Sequence, residues 1–269
     1  MSGFSADWLT LREPYDMRAR NPTVLDAAAA ALKPRSPVRV VDLACGTGST
    51  LRALGPHLPA RQNWKLVDND LGLLARAKAT PLAKHATVTA VLLDLNRDLE
   101  AALDGAVDLV AASALLDLVS EPWLDRLVVE TVARSIPLYA ALSYDGRTKL
   151  TPPDPFDAEI AAAVNAHQRT DKGFGPALGP AAAAFAIARF EALGYSVVQG
   201  TSDWVMGPDD FEIQTEILAG WAHAAHDMGA LSRDETAAWL TRRRDSIAAG
   251  RFSLSVGHVD FFAMPSATR

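Results

Sequence analysis

The sequence is poor in cysteine, with Cys45 alone among 269 residues. No intrachain disulfide is therefore possible, which excludes the disulfide-stapled folds of small secreted domains. The chain also lacks a run of about 18 apolar residues, the length that a membrane-spanning helix needs. Its first residues, MSGFSADWLTLREPYD, carry acids and no apolar segment of the kind found in secretory signals. These absences predict a cytoplasmic protein with no membrane partner.

Basic charge is scarce as well, since 26 Lys and Arg stand against 32 Asp and Glu, a net charge of -6. An acidic surface repels phosphate backbones, which argues against nucleic acid as a partner. The run Asp68-Asn69-Asp70 resembles a metal cluster, but successive side chains of a strand point to opposite faces and would not converge on one ion. We therefore expect no metal site.

Strand and helix patterns alternate along the chain. Two helices are expected over residues 5–33, because Ser5 and Asn21-Pro22 are good helix starts. Five apolar strands follow, separated by helices or turns, at 38–44, 63–68, 86–94, 106–116 and 136–144. This alternation predicts an α/β fold with a doubly wound, mostly parallel, Rossmann-like sheet. Two last strands, 196–206 and 252–264, are separated by helices and predict an antiparallel edge strand.

The stretch VVDLACGTGST at 40–50 is the most informative. An apolar strand ends in Asp42 and leads through Gly46-x-Gly48 into a helix, a turn that lets a ligand approach the backbone. Dinucleotide sites normally have a third glycine near the pyrophosphate, and here that position is Leu51. Asp42 would repel a pyrophosphate and suit a ligand with an ammonium group. A second interpretation is that Asp42 caps the turn by accepting hydrogen bonds from local backbone N–H groups.

With these residues the sequence resembles the class I S-adenosylmethionine-dependent methyltransferases over about residues 38–145. Their first motif, acid-x-Gly-x-Gly-x-Gly, is matched by Asp42, Ala44, Gly46 and Gly48, with alanine in place of the first glycine. The resemblance implies methyl transfer, with S-adenosyl-L-methionine as the cofactor.

The resemblance also implies roles for residues that follow the next strands. Asp68, at the end of the second strand, would bind the ribose hydroxyls, with Asn69 beside it. Asp94 would lie near the adenine amino group, and Leu95 against the ring. Ser113 belongs to the stretch after the third strand that forms the mouth of the active site in this family.

The expected organisation is a single methyltransferase domain over 1–269. It comprises N-terminal helices (1–36), the cofactor-binding core (37–144), a substrate loop or lid (145–179), and a C-terminal part of the sheet (180–269) with a helical insertion (208–250). The segment 145–179 is rich in Pro, Gly and charged residues, which indicates a functional loop, although a plain surface loop fits equally well.

The acceptor is expected to be a small molecule with an oxygen or nitrogen nucleophile. A hydroxyl acceptor needs a base, and His167 is the first candidate because histidine titrates near neutral pH. Asp145 is the alternative, and Tyr144 lies beside it at the end of the fifth strand.

Three other functions stay open from the sequence. One is a protein or RNA methyltransferase, and another is a non-catalytic module that binds S-adenosylmethionine. The third is an NAD(P)-dependent oxidoreductase, because Asp68 alone would equally suit an NAD ribose. Asp42, Leu51 and Asp94 taken together argue against an oxidoreductase.

Overall fold

The computed structural model describes residues 4–80 and 85–266. The helices of these residues are α1 (Ala6–Ala19), α2 (Pro22–Leu32), α3 (Ser49–Leu54), α4 (Leu71–Lys78), α5 (Leu99–Leu103), α6 (Glu121–Ala133), α7 (Asp157–His167), α8 (Ala182–Ala192), α9 (Phe211–Asp227) and α10 (Arg233–Ala248). The strands are β1 (Val38–Leu43), β2 (Gln62–Asp68), β3 (Ala86–Leu92), β4 (Leu109–Ser113), β5 (Leu138–Thr151), β6 (Tyr195–Thr201), β7 (Trp204–Met206) and β8 (Ser253–Pro265). Within the described ranges, no helix combines the length and apolarity needed to cross a membrane.

All these strands belong to one sheet, with the order β3-β2-β1-β4-β5-β8-β6 and β7 beside β8. Strands β1 to β5 are parallel, whereas β8 runs antiparallel to β5, β6 and β7. The doubly wound, mostly parallel sheet is confirmed. The antiparallel strand β8 lies one place in from the edge, between β5 and β6.

Helices cover both faces of the sheet, as the nearly continuous apolar pattern of β1 predicts. Val41 and Leu43 point into the core formed with α5, α6 and α8. Val38 and Val40, at the alternate positions, point into the opposite core under α2, α3 and α4. The alternation follows from the pleat, which directs successive side chains to opposite faces.

The predicted helix starts are confirmed by their caps. Ser5 accepts a hydrogen bond from Trp8 N, and Asn21 accepts one from Val24 N with Pro22 in the first turn. Ser232 and Glu235 form a capping box at the start of α10. Each cap satisfies backbone N–H groups that lack a partner within the helix.

The region after residue 144 differs from the expected long loop. β5 continues to Thr151, because its last part pairs with β8 from Ser253 to Val256. Helix α7 follows, so the irregular parts are residues 152–156 and 168–178. The expected strand 196–206 is divided into β6 and β7, and at the break Ser202 N donates to His258 O. Both differences depend on pairing with β8, about 50 to 110 residues away along the chain, which local patterns do not reveal.

Candidate active site

A cavity of about 520 Å³ lies over the carboxyl ends of the parallel strands. The strand order reverses between β1 and β4, and ligands of open α/β sheets bind at such switch points. Four strand ends contribute to its wall, together with α1 and the segment 168–178. The lining residues are Phe4, Leu9, Arg12, Asp16, Ala44, Cys45, Gly46, Thr47, Ser49, Thr50, Asp68, Asn69, Asp70, Leu73, Leu93, Asp94, Leu95, Ser113, Ala114, Leu115, Leu118, Lys172, Gly173 and Phe174.

The turn after β1 exposes backbone to this cavity. Ala44, Gly46 and Gly48 all have positive φ, at 50°, 54° and 86°. A Cβ at Gly46 would lie 3.2 Å from Leu9 Cδ1, and one at Gly48 would lie 3.3 Å from Ala77 Cβ. The two glycines therefore allow α1 and α4 to pack closely against the turn. Ala44 adopts a left-handed conformation that costs a non-glycine residue about 1–2 kcal/mol, at the position where the family motif has glycine.

Asp68 stands at the end of β2 and lines the cavity. Its Oδ2 accepts a hydrogen bond from Gly46 N at 2.8 Å, and its Oδ1 accepts one from Asp70 N at 3.0 Å. A carboxylate has about four acceptor positions, so these two bonds fix its orientation and leave acceptor capacity for a ligand. Burial raises the pKa of Asp68, while its backbone hydrogen bonds oppose that rise.

Asn69 and Asp70, the next two residues, differ in their contacts. Asn69 lines the cavity beside it. Asp70 is the N-cap of α4, and its Oδ1 accepts hydrogen bonds from Gly72 N and Leu73 N at 2.7 and 3.0 Å. A structural role in starting the helix thus accounts for Asp70.

Asp42 lies behind the glycine turn and is not among the residues that line the cavity. The side chain has no exposed surface, and neither carboxylate oxygen has a hydrogen-bond partner among the described residues. Burial raises its pKa to about 7, against the effect of the nearby Arg20 charge. This placement does not support the expected direct contact between Asp42 and an ammonium group of the ligand.

The segment after β3 forms another wall. Asp94 lines the cavity, and its Oδ1 accepts a hydrogen bond from Asn96 N at 3.0 Å. Leu95 is buried beside it, and Trp123 Nε1 donates to Leu95 O at 2.7 Å. The indole of Trp123 thereby holds the backbone that presents Leu95. Asp94 and Leu95 line the same cavity as Asp68, and their contacts with the cofactor stay predictions.

Ser113, at the end of β4, lines the same cavity. Its Oγ accepts a hydrogen bond from Nη2 of the buried Arg20 at 3.1 Å. Because that bond occupies an acceptor position, the hydroxyl hydrogen of Ser113 is available for a ligand.

Helix α1 covers the glycine turn. Arg12 lines the cavity and forms a buried bidentate pair with Asp16, with bonds of 3.0 and 3.1 Å. Glu13, one residue further, pairs with Arg52, which also donates to Thr47 O in the turn at 2.6 Å. α1 is thus fastened to the turn that it covers.

The segment 168–178 covers the opposite side. Gly173 O accepts a hydrogen bond from Asn96 Nδ2 at 2.9 Å. Phe174 meets Trp123 edge-on, with ring centroids 5.3 Å apart. Leu178 N donates to Val119 O at 2.9 Å. These contacts hold Lys172 and Phe174 at the cavity wall.

The three predicted catalytic residues are not among the cavity-lining residues. Tyr144 Oη donates to Asn165 Oδ1 at 2.8 Å, and burial raises its pKa. Asp145 accepts hydrogen bonds from Arg147. His167 reaches the wall only through Lys172, whose Nζ lies 3.4 Å from His167 Nδ1. Their placement does not support direct catalytic contacts, and their roles stay predictions.

Sequence reasoning did not assign Phe4, Leu9 and Arg12 to the site. A signal was available for part of this set, because Leu9, Arg12 and Asp16 are three and four residues apart and share one helix face.

The donor set fits S-adenosylmethionine better than a dinucleotide. A carboxylate at the end of β2 suits ribose hydroxyls, and the glycine turn allows a close approach to backbone. Among the described residues of the wall, the cations are Arg12 and Lys172, and Asp16 already neutralises Arg12. A pyrophosphate would find few donors there. The cavity is therefore suited to an adenosyl cofactor without a pyrophosphate, in a Rossmann-like fold.

Comparison with known proteins identifies the domain. Residues 40–135 match a family described as methyltransferase domain. No curated protein has significant similarity to the chain. Residues 40–135 therefore form a methyltransferase domain. This match agrees with the predicted class I S-adenosylmethionine-dependent methyltransferase and its cofactor S-adenosyl-L-methionine.

Solved structures are similar to the chain at low sequence identity. A cyclopropane-fatty-acyl-phospholipid synthase-like protein from Lactobacillus casei is 14% identical, with a TM-score of 0.52 over 94% of this chain and 99% of the other. A SAM-dependent methyltransferase from Thiobacillus denitrificans, in complex with S-adenosyl-L-homocysteine, is 17% identical, with a TM-score of 0.44 over 97% and 99%. A corresponding protein from Geobacter sulfurreducens is 19% identical, with a TM-score of 0.44 over 98% and 100%.

Proposed function

We propose that this enzyme transfers the methyl group of S-adenosylmethionine to an oxygen or nitrogen atom of a small-molecule acceptor. The observation that carries the proposal is the shared cavity beneath α1 and the segment 168–178. An acceptor has to reach the methyl group under these two covers, and a small molecule meets that condition more readily than a folded RNA or protein. The net charge of -6 also disfavours RNA.

The cofactor, when bound, supplies a methyl group already activated by its positive sulfur. The protein's contribution is then mainly alignment, which can lower a barrier by about 7–11 kcal/mol. Asp68 and Asn69 would hold the ribose, and Asp94 with Leu95 the adenine. Ser113 would donate its hydroxyl hydrogen to a bound acceptor or cofactor, since Arg20 occupies an acceptor position of its oxygen.

Two further parts of the wall orient the acceptor in this proposal. The Arg12–Asp16 pair is buried and neutral overall, so it would offer hydrogen bonds without a net charge. Leu115, Leu118 and Phe174 supply apolar surface to the cavity. An acceptor with an apolar body and a few polar groups matches this lining.

The proposal is tested by measuring S-adenosylhomocysteine released from S-adenosylmethionine in the presence of separated cell fractions. We expect turnover with the small-molecule filtrate and none with purified RNA or protein fractions. The variant Asp68→Asn serves as the control, because it should reduce turnover with every fraction. Turnover that follows the RNA or protein fraction alone would refute a small-molecule acceptor.

A further inference from the structure

Lys172 differs from the other charged groups at the cavity wall. Arg12 is paired with Asp16, and Asp68 and Asp94 accept hydrogen bonds from backbone N–H groups. Lys172 takes part in none of the ion pairs among the described residues. Its Nζ contacts Thr170 Oγ1 at 3.0 Å and His167 Nδ1 at 3.4 Å.

Both contacts of Lys172 are with neutral acceptors. An ammonium group has donors only, so His167 accepts at Nδ1 and carries its proton on Nε2, which lies 3.8 Å from Asp227 Oδ2. Burial and the neighbouring Lys172 charge lower the pKa of His167, which favours this neutral form. The Thr170 hydroxyl donates to His167 O at 2.8 Å, so it accepts from Lys172.

One N–H of Lys172 is left without a partner, in a half-buried position at the cavity wall. A positive charge that is partly removed from water is costly unless a negative group compensates it. Asp227 is the negative group nearby that partly opposes the effect of burial on the pKa of Lys172, but it forms no ion pair with Lys172. An anionic group of a ligand in the cavity would complete the compensation.

We propose that Lys172 binds an anionic group, a carboxylate or a phosphate, of the methyl acceptor. This inference rests on the proposed function. The cofactor has a carboxylate too, but the resemblance places adenine near Asp94, and the neighbouring Gly173 is held on that side by Asn96. The Lys172 side chain points away from there, towards His167 at the end of α7. Helix α7 is joined to the middle of β5 by the Tyr144–Asn165 bond.

The test compares anions with neutral molecules that carry the same aromatic ring. Protein saturated with S-adenosylhomocysteine is titrated with benzoate and phenyl phosphate, and with benzamide and phenol, in a calorimeter. We expect at least one anion to bind the wild type about tenfold more tightly than its neutral counterpart. The affinity of Lys172→Met for that anion should be about 10- to 100-fold lower than the wild-type affinity, which corresponds to the loss of a hydrogen bond to a charged group.

Two variants serve as controls. Lys172→Arg keeps the charge and should keep the anion preference. Lys149→Met removes a positive charge from the exposed part of β5, away from the cavity, and should bind the anions as the wild type does. Circular dichroism and thermal unfolding establish that each variant is folded.

Three results would overturn the inference. The first is that no anion binds the wild type better than its neutral counterpart. The second is that Lys172→Met retains the preference. The third is that the Lys172→Met substitution weakens the binding of S-adenosylhomocysteine but not the binding of methylthioadenosine, which lacks the amino-acid carboxylate. That pattern would assign Lys172 to the cofactor. Failure of the proposed function is seen separately, as turnover that requires RNA or protein while the binding of small anions is unaffected.

Discussion

The ion pair between Glu13 and Arg52 fastens α1 over the glycine turn, so weakening it should weaken cofactor binding. Arg52 Nη2 donates to Glu13 Oε2 at 2.7 Å, and Arg52 Nε donates to Oε1. Arg52 also donates to Thr47 O at 2.6 Å and Thr80 Oγ1 at 2.9 Å. These two bonds keep Arg52 in place when Glu13 changes, so the perturbation is confined to α1.

The substitution Glu13→Gln keeps an acceptor and removes the charge. The side chains of Arg52 and Glu13 are 29% and 22% exposed, so solvent screens part of their attraction. A bidentate pair in this position contributes about 1 kcal/mol. If closure of α1 accompanies binding, the dissociation constant for S-adenosylhomocysteine rises about fivefold.

Calorimetry of S-adenosylhomocysteine binding measures this change, with Glu100→Gln as the matched control. Glu100 forms a bidentate pair with Arg126 between α5 and α6, outside the cavity wall. We expect Glu13→Gln to bind S-adenosylhomocysteine more weakly than the wild type. This difference should shrink at high salt, because ions screen the Glu13–Arg52 pair. Glu100→Gln should bind as the wild type does. Wild-type affinity in Glu13→Gln, or an equal loss in both variants, would refute the role of α1 as a fastened cover.

Three further predictions follow from the buried and close-packed parts of the site. Because burial raises the pKa of Asp42 to about 7 from 3.8, Asp42 should contribute a loss of about 2 kcal/mol of unfolding free energy as the pH rises from about 5.5 to about 8. In urea titrations the loss over this range should be smaller by about that amount in Asp42→Asn than in the wild type, and an equal loss in both would contradict the assignment. Gly46→Ala should lower the unfolding free energy by about 1–2 kcal/mol, because residue 46 has a positive φ. The contact of the new Cβ with Leu9 Cδ1 should cause a further loss, which Leu9→Ala should relieve. Full additivity of the two substitutions in denaturant titrations would show that this contact is unimportant. Asn96→Ala removes the bond to Gly173 O and should lower the affinity for S-adenosylhomocysteine about fivefold, which corresponds to the free energy of one neutral hydrogen bond. Unchanged calorimetric affinity would show that the segment 168–178 is held without it.

Much of the cofactor side of the site could be predicted from the sequence. Its residues follow the ends of β1 to β4, and the carboxyl ends of parallel strands share one edge. Gly46, Asp68, Asp94 and Ser113 meet there for that reason. Asp42 is the exception, because its position inside β1 directs the side chain behind the turn.

The covers of the site could not be predicted in the same way. The position of α1 depends on Arg52, 39 residues beyond Glu13, and on Trp204, whose Nε1 donates to Asp16 across 188 residues. Lys172 owes its position to the bond between Asn96 and Gly173 O, 77 residues apart along the chain, and to His167 at the end of α7. Local propensity carries no information about such contacts.

Cofactor binding by the purified chain tests the central claim most directly, with calorimetric titrations of S-adenosylhomocysteine and NAD into the wild type and Asp68→Asn. The account predicts that S-adenosylhomocysteine binds one per chain, about 10- to 100-fold more weakly in folded Asp68→Asn because a charged hydrogen-bond acceptor is lost, and that NAD does not bind. Binding of NAD without S-adenosylhomocysteine, or unchanged affinity in Asp68→Asn, would contradict it.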